Sequence, residues 1–193
     1  LLNDQISWAD AVTVPLVKYL GNLNYNGPDS LTYTVTDDGI PPLTDLTPAT
    51  VGITVAAVND APVTTVPDPG TNPQSTALDT PLIFSTANGN AITLGDVDAG
   101  TGTMWFKITA TNGTVSLSQI TGLTYFWRGT GTNDTVVSFD GTLDAINAAL
   151  NGMTFTPNPG FSGAASLVCR SGDYGNTGPG GMLYGVDQTI NIA

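Results

Sequence analysis

The sequence predicts an all-β fold made of tandem β-sandwich repeats, with one short helix in the complete repeat. Thr, Gly, Asn and Asp are abundant and Glu is absent, a composition typical of strands and turns. Short apolar runs recur along the chain, and Gly, Asn and Asp separate them at close to the spacing of a β-sandwich. Two distant stretches also resemble each other, which is the pattern of an array.

An internal repeat relates the two ends of the chain. Residues 25–31 and residues 161–167 share aromatic, Gly, Ser and Leu positions, and Asp37 aligns with Asp173 at the same offset. Self-similarity of this kind is typical of repeat proteins. We therefore expect a slice of a longer array, with 1–58 as the C-terminal part of one repeat, 59–63 as a linker and 64–193 as a complete repeat.

The stretch between the two repeats predicts a joint. Alternating apolar residues in 51–57 predict a strand with one buried face. Pro62 has no N–H and biases Ala61 away from helix, so the pairing should stop there and the chain should leave extended. Asn59 and Asp60 place an amide oxygen and a carboxylate at this exit, and both groups are ligands for hard cations.

The remaining strands are predicted by alternation and by turn residues. Leu31, Tyr33 and Val35 alternate with threonines and predict a half-buried strand before the joint. After the joint, the proline-rich segment 67–73 predicts a stiff loop. Further strands are predicted around residues 82–84, 92–94, 104–110, 115–117, 123–127, 136–139, 153–155, 167–169 and 189–192.

One stretch departs from the strand pattern. Leu143, Ile146 and Leu150 recur at helical spacing. Thr142 or Gly141 can cap the start of a helix, and Gly152 can end it. We expect a helix of roughly two turns that lies across the sandwich.

Charged residues are few and mostly acidic. The 193 residues include four basic side chains and sixteen acidic ones, all of them Asp, for a formal net charge of −12. This balance argues against nucleic acid and anionic membrane surfaces as partners. Because no apolar run approaches the roughly 20 residues of a transmembrane helix, membrane insertion is not expected either.

The residue types present argue against an enzyme. Without any His, the chain can form neither a Ser-His nor a Cys-His pair, and it lacks the commonest zinc ligand. Pairs of Asp could do acid–base work, but sixteen Asp in turns produce such pairs by chance. Cys169, the only cysteine, occupies a strand position, and we interpret it as a small buried hydrophobe rather than a nucleophile.

Three aromatic residues allow two interpretations. Trp105, Tyr125 and Trp127 occupy alternate positions of predicted strands and could form a sugar-binding face. Aromatic side chains in a β-sandwich more often fill the core, and we favour that interpretation.

Asp96 and Asp98 form an Asp-x-Asp pair beside glycine, where their oxygens can converge in a turn. Calcium binds six to eight oxygens of Asp, Asn and backbone carbonyls at about 2.3–2.6 Å. Clustered carboxylates without a cation would repel one another. The alternative is that Asp-Gly and Asn-Asp are ordinary turn residues.

Several of these motifs resemble the cadherin-like tandem repeats of giant bacterial surface adhesins of the RTX type. The joint, residues 58–62, resembles the linker between cadherin repeats, and residues 26–39 resemble the penultimate strand of such units. Residues 79–82, 96–100 and 146–157 resemble further motifs of these repeats. The resemblance implies tandem Ig/cadherin-like sandwiches in a secreted or surface-attached protein.

The resemblance also implies Ca²⁺ at the joint between repeats. The ion would be held by the linker, by the Asp-x-Asp pair of the following repeat, and by an Asp that ends its penultimate strand. The implied ligands are Asn59, Asp60, Asp96, Asp98 and Asp173, with Asp37 and Asp38 for the preceding joint and Asp79 as a further candidate.

The function expected from sequence is that of a structural repeat of a long extracellular adhesin or surface filament, made rigid by calcium at the joint. One alternative is a glycan- or protein-binding module that uses exposed aromatics or loops. Another is a filament subunit that completes its partial repeat with strands from a neighbouring copy. The expected partners are accordingly neighbouring repeats or subunits, or a surface glycan or protein.

Overall fold

The computed structural model describes residues 18–193, so the first seventeen residues of the predicted partial repeat lie outside the described part. The chain divides into two compact units, Leu1–Ala57 and Val58–Ala193. All pairings between named strands are antiparallel, and the described residues contain one helix. The predicted all-β fold with one short helix is confirmed.

The described part of the first unit is a hairpin. Strands β1 (Gly27–Tyr33) and β2 (Ala49–Val55) pair antiparallel, with Gly27 opposite Val55 and Tyr33 opposite Ala49. The connecting loop is closed by Asp37, whose Oδ1 accepts hydrogen bonds from the backbone N–H groups of Gly39 at 3.1 Å and Leu43 at 2.8 Å.

The hairpin corrects one expectation from the sequence. The strand predicted through Val35 ends at Tyr33, and the side chains of Tyr33, Val35 and Val51 are exposed. Alternation along a strand shows which residues share a face, but burial needs a second layer. Within residues 18–57 no second sheet covers this face.

The second unit contains three sheets and the helix. The five-stranded sheet has the order β12-β11-β6-β9-β8, the three-stranded sheet β4-β10-β7, and β3 pairs with β5. The elements are β3 (Val63–Thr65), β4 (Leu82–Phe84), β5 (Thr93–Gly95), β6 (Thr103–Thr111), β7 (Gly113–Ser116), β8 (Leu123–Arg128), β9 (Val136–Thr142), α1 (Leu143–Leu150), β10 (Met153–Pro157), β11 (Ala165–Asp173) and β12 (Gln188–Ile192).

The core lies between the two larger sheets. Phe106 and Phe139 on the five-stranded sheet and Phe84 and Phe155 on the three-stranded sheet are fully buried in one cluster. The alternation of β6 explains its role, since Met104, Phe106, Ile108 and Ala110 are buried and the residues between them are not. Each sheet therefore has an inner apolar face and an outer face.

Helix α1 begins and ends as its sequence predicts. The side chain of Thr142 caps it and accepts a hydrogen bond from the backbone N–H of Ala145. Ile146, Ala149 and Leu150 form its buried side, against β5 and β9. Gly152, with φ +100°, follows the end of the helix in a conformation that favours glycine.

The core interpretation of the three aromatic residues is wrong. Tyr125 is 77% exposed and Trp127 is 60% exposed. Trp105 is half-buried and lies on the outer face of β6, because its strand neighbours Met104 and Phe106 point into the core. No helix within residues 18–193 has the length and apolar character needed to cross a membrane.

Candidate metal site

The segment that opens the second unit is anchored by Asn59. Its side chain is 5% exposed, and Nδ2 donates hydrogen bonds to Asp173 Oδ2 at 2.8 Å and to the carbonyl oxygen of Gly181 at 3.1 Å. These partners lie more than one hundred residues further along the chain. Asn59, the first residue of the expected linker, is therefore held within the second unit.

The Asp-x-Asp pair forms a turn directly after β5. Asp96 Oδ1 accepts hydrogen bonds from the backbone N–H groups of Asp98 and Ala99, both at 3.1 Å. A carboxylate that binds its own backbone two residues on is the usual way for Asp to stabilise a turn. The backbone N–H of Asp60 donates to Asp98 Oδ2 at 2.9 Å, which ties the start of the unit to this turn.

Asp173 lies at the end of β11 and is 1% exposed. Its Oδ1 accepts from the backbone N–H groups of Gly175 at 2.9 Å and Leu183 at 2.8 Å, while Oδ2 accepts from Asn59. Three donors satisfy a buried carboxylate well. This bonding favours Asp173 as the residue that positions Asn59 and the 175–183 loop.

Three side-chain oxygens at this place are buried and accept no hydrogen bond from residues 18–193. They are Asn59 Oδ1, Asp96 Oδ2 and Asp98 Oδ1, and we call them the three unpaired oxygens. A buried acceptor without a partner costs about 1–3 kcal/mol, and more when it is charged. Native structures satisfy nearly all such groups, so these three need a donor, a proton or a cation.

The electrostatics of the turn point the same way. Burial raises the pKa of Asp96 from 3.8 to about 6, and the charge of the neighbouring Asp98 adds to the shift. At neutral pH such a carboxylate is still ionised, but its surroundings make the charged form less stable than it would be in water. A bound cation would remove that effect.

The donor set fits a hard cation. The three unpaired oxygens come from carboxylates and an amide, which are ligands of Ca²⁺ and Mg²⁺ and not of a thiophilic metal. The exposed Asp60 carboxylate is adjacent in sequence to Asn59 and could add a further oxygen. Within residues 18–193, no three Asp or Cys side chains are close enough, as they lie, to form a metal cluster by themselves.

The other predicted ligands lie outside this group. Asp37 closes the loop of the first hairpin, and Asp38 is exposed beside it. Asp79 Oδ1 accepts a hydrogen bond from the backbone N–H of Gly160 at 2.7 Å and joins two loops. None of the hydrogen bonds of these three residues reaches the three unpaired oxygens.

The sequence interpretation missed the glycine-rich loop that covers Asn59. Besides the Gly181 carbonyl, Thr177 Oγ1 donates to the backbone oxygen of Asp98 at 2.6 Å. A Cβ added at Gly180 would lie 3.1 Å from the Cβ of Asn59, and the φ of +147° at Gly180 also favours glycine. The run from Gly178 to Gly181 was the available indication of such a close approach.

Cys169 contributes no chemistry to this site. It is fully buried on β11 inside the core, and burial raises the pKa of its thiol to about 12. A thiol with that pKa is not a nucleophile at neutral pH. The interpretation of Cys169 as a small buried hydrophobe is confirmed.

Comparisons with known proteins add little to this description. No protein-family model matches the chain, and no curated protein matches it. A solved structure described as "Complete structure of manganese lipoxygenase of Gaeumannomyces graminis and partial structure of zonadhesin of Komagataella pastoris" matches with a TM-score of 0.32 and 9% sequence identity. The match covers 86% of this chain and 54% of the other, about half of its length. A likeness of this degree supports no conclusion about fold or function.

Proposed function

We propose that this chain is a structural repeat module of a long extracellular adhesin or surface filament, in which calcium stiffens the joint between repeats. The observation that carries the proposal is the group of three unpaired oxygens, one of which belongs to Asn59 at the start of the second unit. The ligands would be Asn59, Asp96 and Asp98, with Asp60 as the exposed addition and Asp173 as the positioning residue.

The mechanism follows from where these residues are in the chain. The second unit begins at Val58. Asn59 is hydrogen-bonded to Asp173, and Asp60 is hydrogen-bonded to the Asp96–Asp98 turn. A cation shared by Asn59 and the turn would hold the first residues of the unit more firmly than these hydrogen bonds do alone. The free length of chain between the units would then be very short, which limits the angles available to them.

Two observations support an extracellular setting. Calcium-binding modules outside cells typically bind with dissociation constants of about 10⁻⁴–10⁻³ M, a range suited to a site that lacks the bidentate Glu of tighter sites. The motif resemblance to cadherin-like adhesin repeats agrees with this setting.

Small-angle scattering of the whole chain tests the proposal. Millimolar calcium should narrow the range of interdomain angles compared with chelator, and Asp98→Asn should abolish the change. Asp134→Asn is the matched control, because Asp134 binds the backbone N–H groups of Thr130, Gly131 and Thr132 and none of the site residues. If calcium leaves the scattering of the parent chain unchanged, the joint is not held by metal.

A further inference from the structure

All basic residues of the second unit lie in one row across its five-stranded sheet. Lys107 on β6 pairs with Ser138 on β9 and with Arg170 on β11, and Arg128 on β8 also pairs with Ser138. Residues directly opposite each other on antiparallel strands share a face. Because Phe106 next to Lys107 points into the core, this row lies on the outer face. The row therefore holds three of the four basic residues of the whole chain.

A second row, two residues along the strands, is aromatic. Trp105 pairs with Asp140 on β9 and with Gly172 on β11, and Gly172 is bridged to Tyr184. The rings of Trp105 and Tyr184 meet edge to face, with centroids 5.9 Å apart. Two residues of strand span about 6.6 Å, so the aromatic row and the basic row run side by side.

The polar edges of these aromatics are turned towards the sheet. Trp127 Nε1 and the Tyr174 hydroxyl both donate to Asp140 Oδ1, each at 3.0 Å. Trp105 Nε1 donates to Ser138 Oγ at 2.8 Å. Asp140 and Ser138 are buried under the rings although they lie on the outer face. What the rings offer to solvent is therefore their apolar faces.

Tyr125 and Trp127 extend this row at the edge strand. An irregularity in the β8–β9 register separates Thr124 from Arg128, and Tyr125 has a φ of +43° within it. Bulges of this kind re-aim side chains. The two ring planes are within 28° of parallel with centroids 6.3 Å apart, and both rings are largely exposed. They form an exposed stacked pair at the edge of the sheet.

The charged groups that act on this face are those that lie close to it. Arg170 forms an ion pair with Asp187 at 3.3 Å and lies 5.2 Å from the centroid of the Tyr184 ring. Lys107 and Arg128 form no ion pair with any residue in 18–193. Asp140 also lies on this face, where its Oδ1 is already bound by two donors, and the Asp134 carboxylate lies against Gly129, next to Arg128 in sequence. At physiological salt, charges more than about 8 Å away are largely screened, so the acidic remainder of the chain acts weakly here.

We propose that this outer face binds an acidic polysaccharide. Pyranose rings would stack on the exposed faces of Tyr125 and Trp127, and their carboxylates would pair with Lys107 and Arg128. The exposed outer face of this stacked pair can receive a flat sugar ring, whereas a quaternary ammonium ion requires an aromatic cage that encloses it. The site is distinct from the candidate metal site and goes beyond the proposed structural role.

Binding to polygalacturonic acid, with its fully methyl-esterified form as the uncharged counterpart, tests the proposal. Because this polymer itself binds calcium, titrations are made in chelator, which also separates the outcome from that of the metal site. Polygalacturonic acid should bind at least tenfold more tightly than the ester, and added salt should weaken its binding. Absence of binding, equal binding of the ester, or equally tight binding of single-stranded DNA would overturn the proposal.

The variants locate the site. Lys107→Gln with Arg128→Gln, and separately Tyr125→Ala with Trp127→Ala, should each weaken binding at least tenfold, a change of about 1.4 kcal/mol. The matched controls are Lys18→Gln and Tyr33→Ala, which remove the same kinds of group from the first unit and should leave binding unchanged.

A further variant separates stacking from folding. Trp127→Phe keeps a ring but loses the N–H bond to Asp140, so it should bind within about threefold of the parent. If the controls lose as much affinity as the paired variants, or if the charge variant binds like the parent, this face is not the site.

Discussion

The substitution Asp96→Asn should have opposite effects on stability with and without calcium. In chelator, the Asp96 carboxylate is buried beside Asp98, with one oxygen unpaired and its pKa raised to about 6. Asn keeps an oxygen that can accept from the Asp98 and Ala99 N–H groups, removes the charge, and adds an N–H₂ group that can donate to a neighbouring oxygen. The variant should therefore be as stable as the parent in chelator, or more stable.

In calcium, the order should reverse, because the variant loses a charged ligand. A ligand that binds only the folded state stabilises it by RT ln(1 + [L]/Kd). With 5 mM calcium and a dissociation constant of about 10⁻⁴–10⁻³ M, the parent gains about 1–2.3 kcal/mol. For a unit of this size, that gain corresponds to a rise in melting temperature of roughly 3–10 °C.

Calorimetric melting of parent and variant in chelator and in 5 mM calcium measures the reversal. The control is Asp134→Asn, which weakens bonds to three backbone N–H groups and should cost the same amount in both conditions. Coincident melting curves of the parent in chelator and calcium would refute the reasoning. An effect of Asp96→Asn that is equal in the two conditions would also refute it.

Three further predictions concern the pH dependence and the fold of the second unit. In chelator, the unfolded state releases the Asp96 proton near pH of about 4, whereas the folded state keeps it up to pH of about 6. This group therefore makes stability fall as pH rises through that window, and Asp96→Asn should flatten the slope in denaturant titrations. Thr142→Ala removes the N-cap bond of α1 and should cost about 1 kcal/mol of unfolding free energy in a urea titration. Phe139→Ala empties a fully buried position between Phe106 and Phe126 and should cost about 3–5 kcal/mol in the same assay, whereas a cost below 1 kcal/mol would contradict the core described here.

Most strands and the helix could be predicted because their signals are local. Alternation marks β6, and the i, i+3, i+4 spacing with a Thr cap marks α1. The short strand β3 was not predicted. Its three residues carry no period of their own and are defined by pairing with β5, which is distant in sequence.

The positions of the aromatics could not be predicted, for a different reason. Alternation divides a strand into two faces, but it does not say which face is the inner one. On β8, the irregular register near Tyr125 also breaks the alternation itself. Trp127 lies outside because Phe126 and Phe139 fill the inner positions.

The candidate metal site was predicted in part. Sequence motifs selected Asn59, Asp96 and Asp98, and these carry the three unpaired oxygens. The 175–181 loop was missed because its contribution comes from backbone carbonyls and from close approach at glycine, which motifs of side chains do not record.

A crystal structure of the chain grown in millimolar calcium, with anomalous scattering to identify the ion, tests the central claim most directly. We expect a calcium ion bound by Asn59 Oδ1, Asp96 Oδ2 and Asp98 Oδ1 at about 2.3–2.6 Å, the usual range for calcium–oxygen ligands. Water or a protonated Asp96 in that place, with no ion at the three unpaired oxygens, would contradict it.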